Sequence, residues 1–418
     1  MTIGAKIRYH RLRKKLTQED LSKGIISVSY LSKLENNQIT PSNDIIQLLC
    51  SRLGVSSLLH NQNDLSKQLD QWNQSLLWNN LKEAESIHNK IKESLEHTDE
   101  LMPQLFYKVL CIRFHLIHSE MNFASKFIVE IQSNYKELSD KLKFYYHKYK
   151  GNYYYLLQNH DKARDELKEA ENYYVLGNVI NEDERADLYY LFSLVLTRLH
   201  QYRLAIYYGE QSLSIFQGVY FQKRCAEVHL LLGICFRRIR YNEEALKHYE
   251  WSNMISQSIH YTSLHAKVEQ NLGYLKSGMN KSEEAIEHYT RSIQLKECDI
   301  EGRLNSILSL VKEYYKKNHF SHVGSWLSEG LKLCSKEVYP EKFYQLSYYQ
   351  YALNDFPKGF ESFMEDYSLP FYKKNGNSLL YAEYSKLFGH YYQQARKYKK
   401  AAFHLNEANS IYEDMLSL

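Results

Sequence analysis

Apolar residues recur at helical spacing from the first turns of the chain. Ile3, Ile7, Leu12 and Leu16 mark one face, and Lys6, Arg8, Arg11, Arg13, Lys14 and Lys15 fill the others. Thr17 is a good N-cap with Asp20 three residues on, an acidic variant of the capping box, so a second helix starts there. It runs to about Lys23, where Gly24 stops it. Ser27 caps a third helix through Leu34, with Val28, Leu31 and Leu34 inward, and Asn36-Asn37 end it. Pro41-Ser42 open a further helix, Asp44 to Leu53, which Gly54 closes. The pattern predicts a head of five short helices over residues 1–60, a linker over 61–71 and a different arrangement over 72–418.

That remainder is periodic. A glycine, an aromatic three residues on and an alanine 12 residues after the glycine recur in order. Gly151, Tyr154 and Ala163 fit, as do Gly233, Phe236 and Ala245, and Gly389, Tyr392 and Ala401. Gly273 and Ala285 fit with Lys276 in place of the aromatic, and Ser193, Leu196 and Ala205 form a degenerate copy. Counted from Ser193, the intervals to Gly233 and on to Gly273 are both 40 residues. Weaker copies at both ends bring the total to about nine helix pairs. Glycine and alanine suit the crossing of two helices, where a larger side chain would push the axes apart.

Composition agrees. Only 5 prolines and 16 glycines occur in 418 residues, too few for the turns of an all-β chain. The fold class expected is all-α. The six cysteines form no Cys-x-x-Cys, which leaves buried free thiols as the plain reading. No apolar run reaches the ~20 residues of a bilayer span, and no secretion signal opens the chain, so a cytoplasmic protein with no membrane contact is expected. Known catalytic and metal-binding spacings are absent. Gly273 and Gly278 with Lys281-Ser282 only mimic a phosphate loop, because the lysine falls two places late. Neither an enzyme nor a cofactor is indicated.

Charge matters once it is divided. Residues 1–60 hold 9 Lys/Arg against 4 Asp/Glu, while 61–418 hold 44 against 45, so the whole positive excess sits in the head. A basic head on a near-neutral body suits a polyanion, although a merely soluble surface reads equally well from charge alone. The order Leu16-Thr17-Gln18-Glu19-Asp20-Leu21, Ser27 to Asn36, and Pro41-Ser42 with Leu48-Leu49 and Leu53-Gly54-Val55 resembles the phage-repressor (Cro/C1, XRE) helix-turn-helix family. The turn Gly24-Ile25-Ile26 is one residue shorter than is usual there. In such a reader the third helix enters the major groove. Ser27, Ser29, Tyr30 and Lys33 are then expected at base edges or flanking phosphates, with Gln18, Asn36 and Asn37 on the backbone. Arg8, Arg11 and Arg13 stand between phosphate contact and a solvated face, and Glu35 suits an internal ion pair.

The body resembles the tetratricopeptide repeat, whose usual length is about 34 residues. The extra residues imply longer helices or connections, and the resemblance implies a right-handed superhelix with a concave face. Repeat positions place Arg113, Lys148, Asn152, Tyr190, Arg237, Lys267, Gln270, Asn271 and Tyr274 on that face. Amide side chains there can pair with a peptide backbone and cations with its carboxylates, while ordinary wet surface is the competing reading. Head and repeats together resemble the RRNPP group of receptors for secreted signalling peptides in Gram-positive bacteria and their phages. The resemblance implies a homodimer, a roughly two-fold DNA operator and a short peptide ligand. A phage arbitrium-type regulator and an adaptor acting on a phosphorelay protein through the repeats remain as alternatives.

Overall fold

The computed structural model describes residues 3–54, 57–95, 101–176 and 180–416. Among the described residues the regular elements are helices and no strand occurs. The chain divides into two compact units, residues 1–215 and 216–418.

The first unit opens with the head: α1 (Ile3–Arg13), α2 (Gln18–Ser22), α3 (Val28–Glu35) and α4 (Asn43–Arg52). Helical hairpins follow as α5 (Ser57–Leu77) with α6 (Leu81–Leu95), α7 (Leu101–Ile117) with α8 (Met121–Ser133), α9 (Asp140–Leu156) with α10 (His160–Leu176), and α11 (Glu182–Arg198) with α12 (Tyr202–Gly218). The second unit continues with α13 (Gln222–Arg238) and α14 (Asn242–Ser258), α15 (Thr262–Gly278) and α16 (Ser282–Gln294), and α17 (Ile300–Lys316) and α18 (Phe320–Leu333). It ends with α19 (Pro340–Leu353), the short α20 (Phe360–Ser362) and α21 (Leu369–Lys374), then α22 (Ser378–Gln394) and α23 (Tyr398–Leu416).

The lengthened repeat lies in the helices. Each helix from α11 to α15 has 17 residues. His200, Tyr220, Arg240, His260 and Asn280 end them in the left-handed region, with φ between +53° and +65°. These turn residues stand 20 apart, so two helices and two tight turns make the 40-residue unit. The crossing glycines behave as the pattern implied. A Cβ on Gly233 would stand 2.5 Å from the Tyr249 ring, and one on Gly151 2.7 Å from Leu167. In the degenerate copy Ser193 replaces the glycine, and its hydroxyl donates to the Ala205 carbonyl at 2.7 Å.

A second periodic contact escaped the sequence reading. Ser212, Ser252 and Ser292 each donate to a carbonyl on the partner helix, of Ala186, Ala226 and Ala266, at 2.8, 2.7 and 2.8 Å. A serine hydroxyl is small enough for the crossing and ties the two helices where no ladder connects them.

The expected linker is corrected. Residues 61–71 lie inside α5. Leu65, Leu69, Trp72 and Leu76 form one buried stripe along it, spaced for a helix, so the array begins before residue 72. Of the cysteines, five are buried as expected, but Cys298 is exposed.

Candidate functional site

The head is built around Ile7, Leu21, Leu31, Leu34, Leu49 and Leu53, all buried. Thr17 and Asp20 form the reciprocal cap of α2: Asp20 N–H donates to Thr17 Oγ1 at 3.1 Å and Thr17 N–H to Asp20 Oδ2 at 2.9 Å. The Thr17 hydrogen bonds hold the Asp20 carboxyl below its usual range. Gly24 takes φ +73° and so permits the tight turn between α2 and α3. Ser27 caps α3 by accepting from Tyr30 N–H at 3.2 Å.

These local devices fix which residues point outward. Ser27, Ser29, Lys33, Asn36 and Asn37 are exposed, while Tyr30 is half-buried against the head core. Val28, expected inward, is 44% exposed on the first turn of α3. It stands two places from Tyr30 and three from Leu31, and the core takes the latter two. Arg11 is no surface cation: its Nε and Nη2 reach Glu35 at 2.7 and 2.8 Å, and Nη1 donates to the Leu16 carbonyl at 3.0 Å. Gln18 also donates to Glu35, at 2.8 Å, so part of its donor capacity is spent inside the head. Burial pushes the Glu35 carboxyl up, but the hydrogen bonds from Arg11 and Gln18 outweigh it and leave it below its usual range. Arg8 stays exposed and approaches Asn36 Oδ1 at 3.5 Å.

The repeat positions separate into two groups. Lys148 is fully buried, paired with Glu184 at 2.5 Å and Asp187 at 2.8 Å, and is no groove residue. Asn152, about one turn further along α9, is also buried. Gln270 is buried too, donating to Ser309 Oγ at 3.1 Å and accepting from Ser306. For Lys148 and Gln270 the neighbouring helix, α11 or α17, covers the face that repeat numbering left open. Arg113 on α7 and Tyr190 on α11 are half-buried. In the second unit an accessible set remains: Lys267 and Tyr274 are exposed, and Arg237 and Asn271 half-buried. The Arg237 guanidinium lies 5.6 Å from the Tyr274 ring centre and donates to the Tyr249 hydroxyl at 3.3 Å. Asn271 donates to the Lys267 carbonyl at 2.9 Å, leaving its own oxygen for a ligand.

One set of ties between the head's last helix and the array had no sequence signal. Asn73 of α5 donates to Glu184 Oε1 at 2.5 Å and accepts from the Tyr149 hydroxyl at 2.8 Å. Gln74 donates to Asp183 at 3.0 Å, and Lys141 to Asp70 at 2.9 Å. The helix that leaves the head is thereby tied to α9 and α11, residues more than seventy positions away. Among the described residues no helix is long and apolar enough to cross a membrane.

Such a molecule is a helix-turn-helix reader joined through one helix to an array of helical hairpins. A helix-turn-helix family model matches residues 7–59. Over 407 residues the chain is 32% identical to the transcriptional activator NprA of Geobacillus stearothermophilus, covering 95% of this chain and 100% of that one. It therefore belongs to the RRNPP family. The apo form of the quorum sensor NprR from B. thuringiensis shares the fold, with a TM-score of 0.76, 19% identity, and 84% of this chain and 99% of that one covered. NprR in complex with its cognate peptide NprX superposes with a TM-score of 0.64 at 21% identity, over 85% and 98% of the two chains.

Proposed function

We propose that the chain is a DNA-binding transcriptional regulator controlled by a short signalling peptide held by its repeat array. The observation that carries this is the outward edge of α3, Ser27 to Lys33, on a head fused end to end with the same array as a relative named a transcriptional activator. α3 lies in the major groove, Ser27, Ser29 and the exposed Val28 meeting base edges, and Tyr30 and Lys33 base edge or phosphate. Val28 suits a thymine methyl group. Asn36 and Asn37 meet the backbone, and Gln18 contributes one remaining amide hydrogen. The peptide lies against Arg237, Lys267, Asn271 and Tyr274 of the second unit. Two copies of the chain bind a two-fold operator, since a single head reads a small footprint.

The test is a gel-shift titration on the promoter fragments the protein selects from its own genome. Tyr30→Ala with Lys33→Ala is expected to weaken specific binding by about a hundredfold, from two contacts of about 1–3 kcal/mol each. Unchanged operator affinity in a folded variant would refute the assignment of α3. Calorimetry with the peptide encoded beside the gene tests the array, where Arg237→Ala and Asn271→Ala are expected to weaken binding about tenfold each. Wild-type affinity removes them from the site.

A further inference from the structure

The second unit carries a cleft that the repeat pattern does not account for. After α19 the partner helix is broken into α20, a π-helical stretch over Phe363–Ser368, and α21. Pro370 has no N–H to donate backward, and its ring crowds the preceding turn, so a regular α-helix cannot continue through it. The chain widens instead, with Leu369 N–H reaching Met364 O five residues back. Between α21 and α23 this leaves a cleft of about 810 Å³. That volume is within the ~300–1,000 Å³ of ligand sites.

Its apolar lining is Leu369, Pro370 and Phe403, the last 58% exposed. Its rims are cationic, with Lys373 and Lys374 from α21 facing Lys399 and Lys400 from α23. Two carboxylates share the cleft, and both are engaged. Glu365 accepts from the Tyr392 hydroxyl at 2.7 Å and pairs with Lys400 at 3.0 Å, and Glu407 accepts from the Tyr381 hydroxyl at 2.6 Å. Lys373 sits 5.8 Å from the Tyr381 ring centre. Lys374 and Lys399 make no ion pair among the described residues, so both rims keep an uncompensated charge. A separate observation concerns the wall. His404 is only 8% exposed, lines the same cleft, and its Nδ1 has no hydrogen-bond partner among the described residues. An unsatisfied buried nitrogen costs about 1–3 kcal/mol, which a bound polar group can relieve.

We propose that this cleft binds an acidic segment of another protein, which seats one large apolar side chain on Phe403 and Leu369 and places carboxylates on Lys374 and Lys399. The cleft sets Leu369, Pro370 and Phe403 beside four lysines and, among the described residues, holds no arginine fork for phosphate, which favours an acidic amphipathic peptide over a nucleic acid. None of the residues assigned to the signalling peptide lines it, so the two sites do not overlap.

The test uses the full chain and a fluorescein-labelled peptide of glutamate, leucine and one phenylalanine patterned as an acidic amphipathic helix, read by fluorescence anisotropy. Saturable, salt-sensitive binding is expected. Lys374→Glu with Lys399→Glu should weaken it at least about tenfold, because both rims then repel the ligand. Phe403→Ala should weaken it about tenfold through the lost anchor. Both changes are at exposed positions, and circular dichroism checks that the fold is kept. Arg237→Ala should leave this binding unchanged while weakening the signalling peptide. Equal affinity in the wild type and both cleft variants overturns the proposal. Full competition by an oligothymidine of matched charge overturns it in favour of nucleic acid, and full competition by laurate in favour of a small amphiphile. A drop in molecular mass by light scattering in the double lysine variant marks the cleft as a contact between copies of the chain, and also overturns it.

Discussion

At the scale of single residues, the clearest lesson is that formal charge does not say where a cation acts. Arg11 lies in the most basic stretch of the chain, yet it is spent inside the head on Glu35. Removing one partner of a buried pair leaves the other uncompensated. Glu35→Gln is therefore expected to cost the head about 3 kcal/mol of stability, measured by urea denaturation of the full chain with a probe in the head. The pH dependence has a fixed sign. The folded-state carboxyl of Glu35 is depressed, so its contribution is complete above the ordinary glutamate value of about 4.3. It is lost as pH falls through the lower folded value. A head equally stable at pH 7 and below pH 4 would contradict the pairing. Lys33 is the contrasting case, exposed with no buried partner to hold. Lys33→Ala should reduce the slope of log affinity against log salt by about one and leave stability unchanged.

Helices obey a different arithmetic. The crossing glycines are replaceable only where the neighbour can move, and at Gly233 the neighbour is the buried ring of Tyr249. Gly233→Leu is expected to lower stability by about 1–3 kcal/mol or more through overpacking, read as a drop in the thermal midpoint. Gly278 ends α15 with nothing within 4 Å of an added Cβ, so Gly278→Ala should be neutral or slightly stabilising. These two glycines look alike in a sequence and differ only in what stands opposite. Helix α5 shows the same dependence. Its stripe of Leu65, Leu69, Trp72 and Leu76 has a helical period and runs through residues 61–71, where a linker is expected from the sequence. The buried ties of Asn73 to Glu184 and Tyr149 had no local signature at all, because their partners are distant in sequence.

For the whole molecule, α5 leads from the head into the array, and its polar face is tied to α9 and α11. An influence of the peptide on DNA binding that is carried within one chain is expected to run along this helix. A proline at exposed Lys67 would break that helix at a cost of about 3 kcal/mol. Lys67→Pro is expected to keep both ligand affinities within about tenfold while abolishing their coupling. Measuring peptide affinity with and without operator, and operator affinity with and without peptide, checks this: the two ratios must be equal in the wild type and approach one in the variant. Persistent coupling in the variant would place the path elsewhere.

The all-helical class, the caps of α2 and α3, the glycine stops at Gly24 and Gly54, the 40-residue period and the crossing glycines were all determined by the sequence alone. These rest on local chemistry, namely side chains bonding their own backbone and apolar spacing along one helix, and local chemistry is written in neighbouring residues. Only the tertiary structure decided that Lys148, Asn152 and Gln270 are interior, that Val28 faces outward, and that α5 is locked to α9 and α11. The reason is geometric. Repeat numbering gives a side chain's direction on its own helix, but burial depends on how closely the next helix lies over that face. That distance is set by residues far along the chain, 39 positions away for Gln270 and Ser309 and 111 for Asn73 and Glu184.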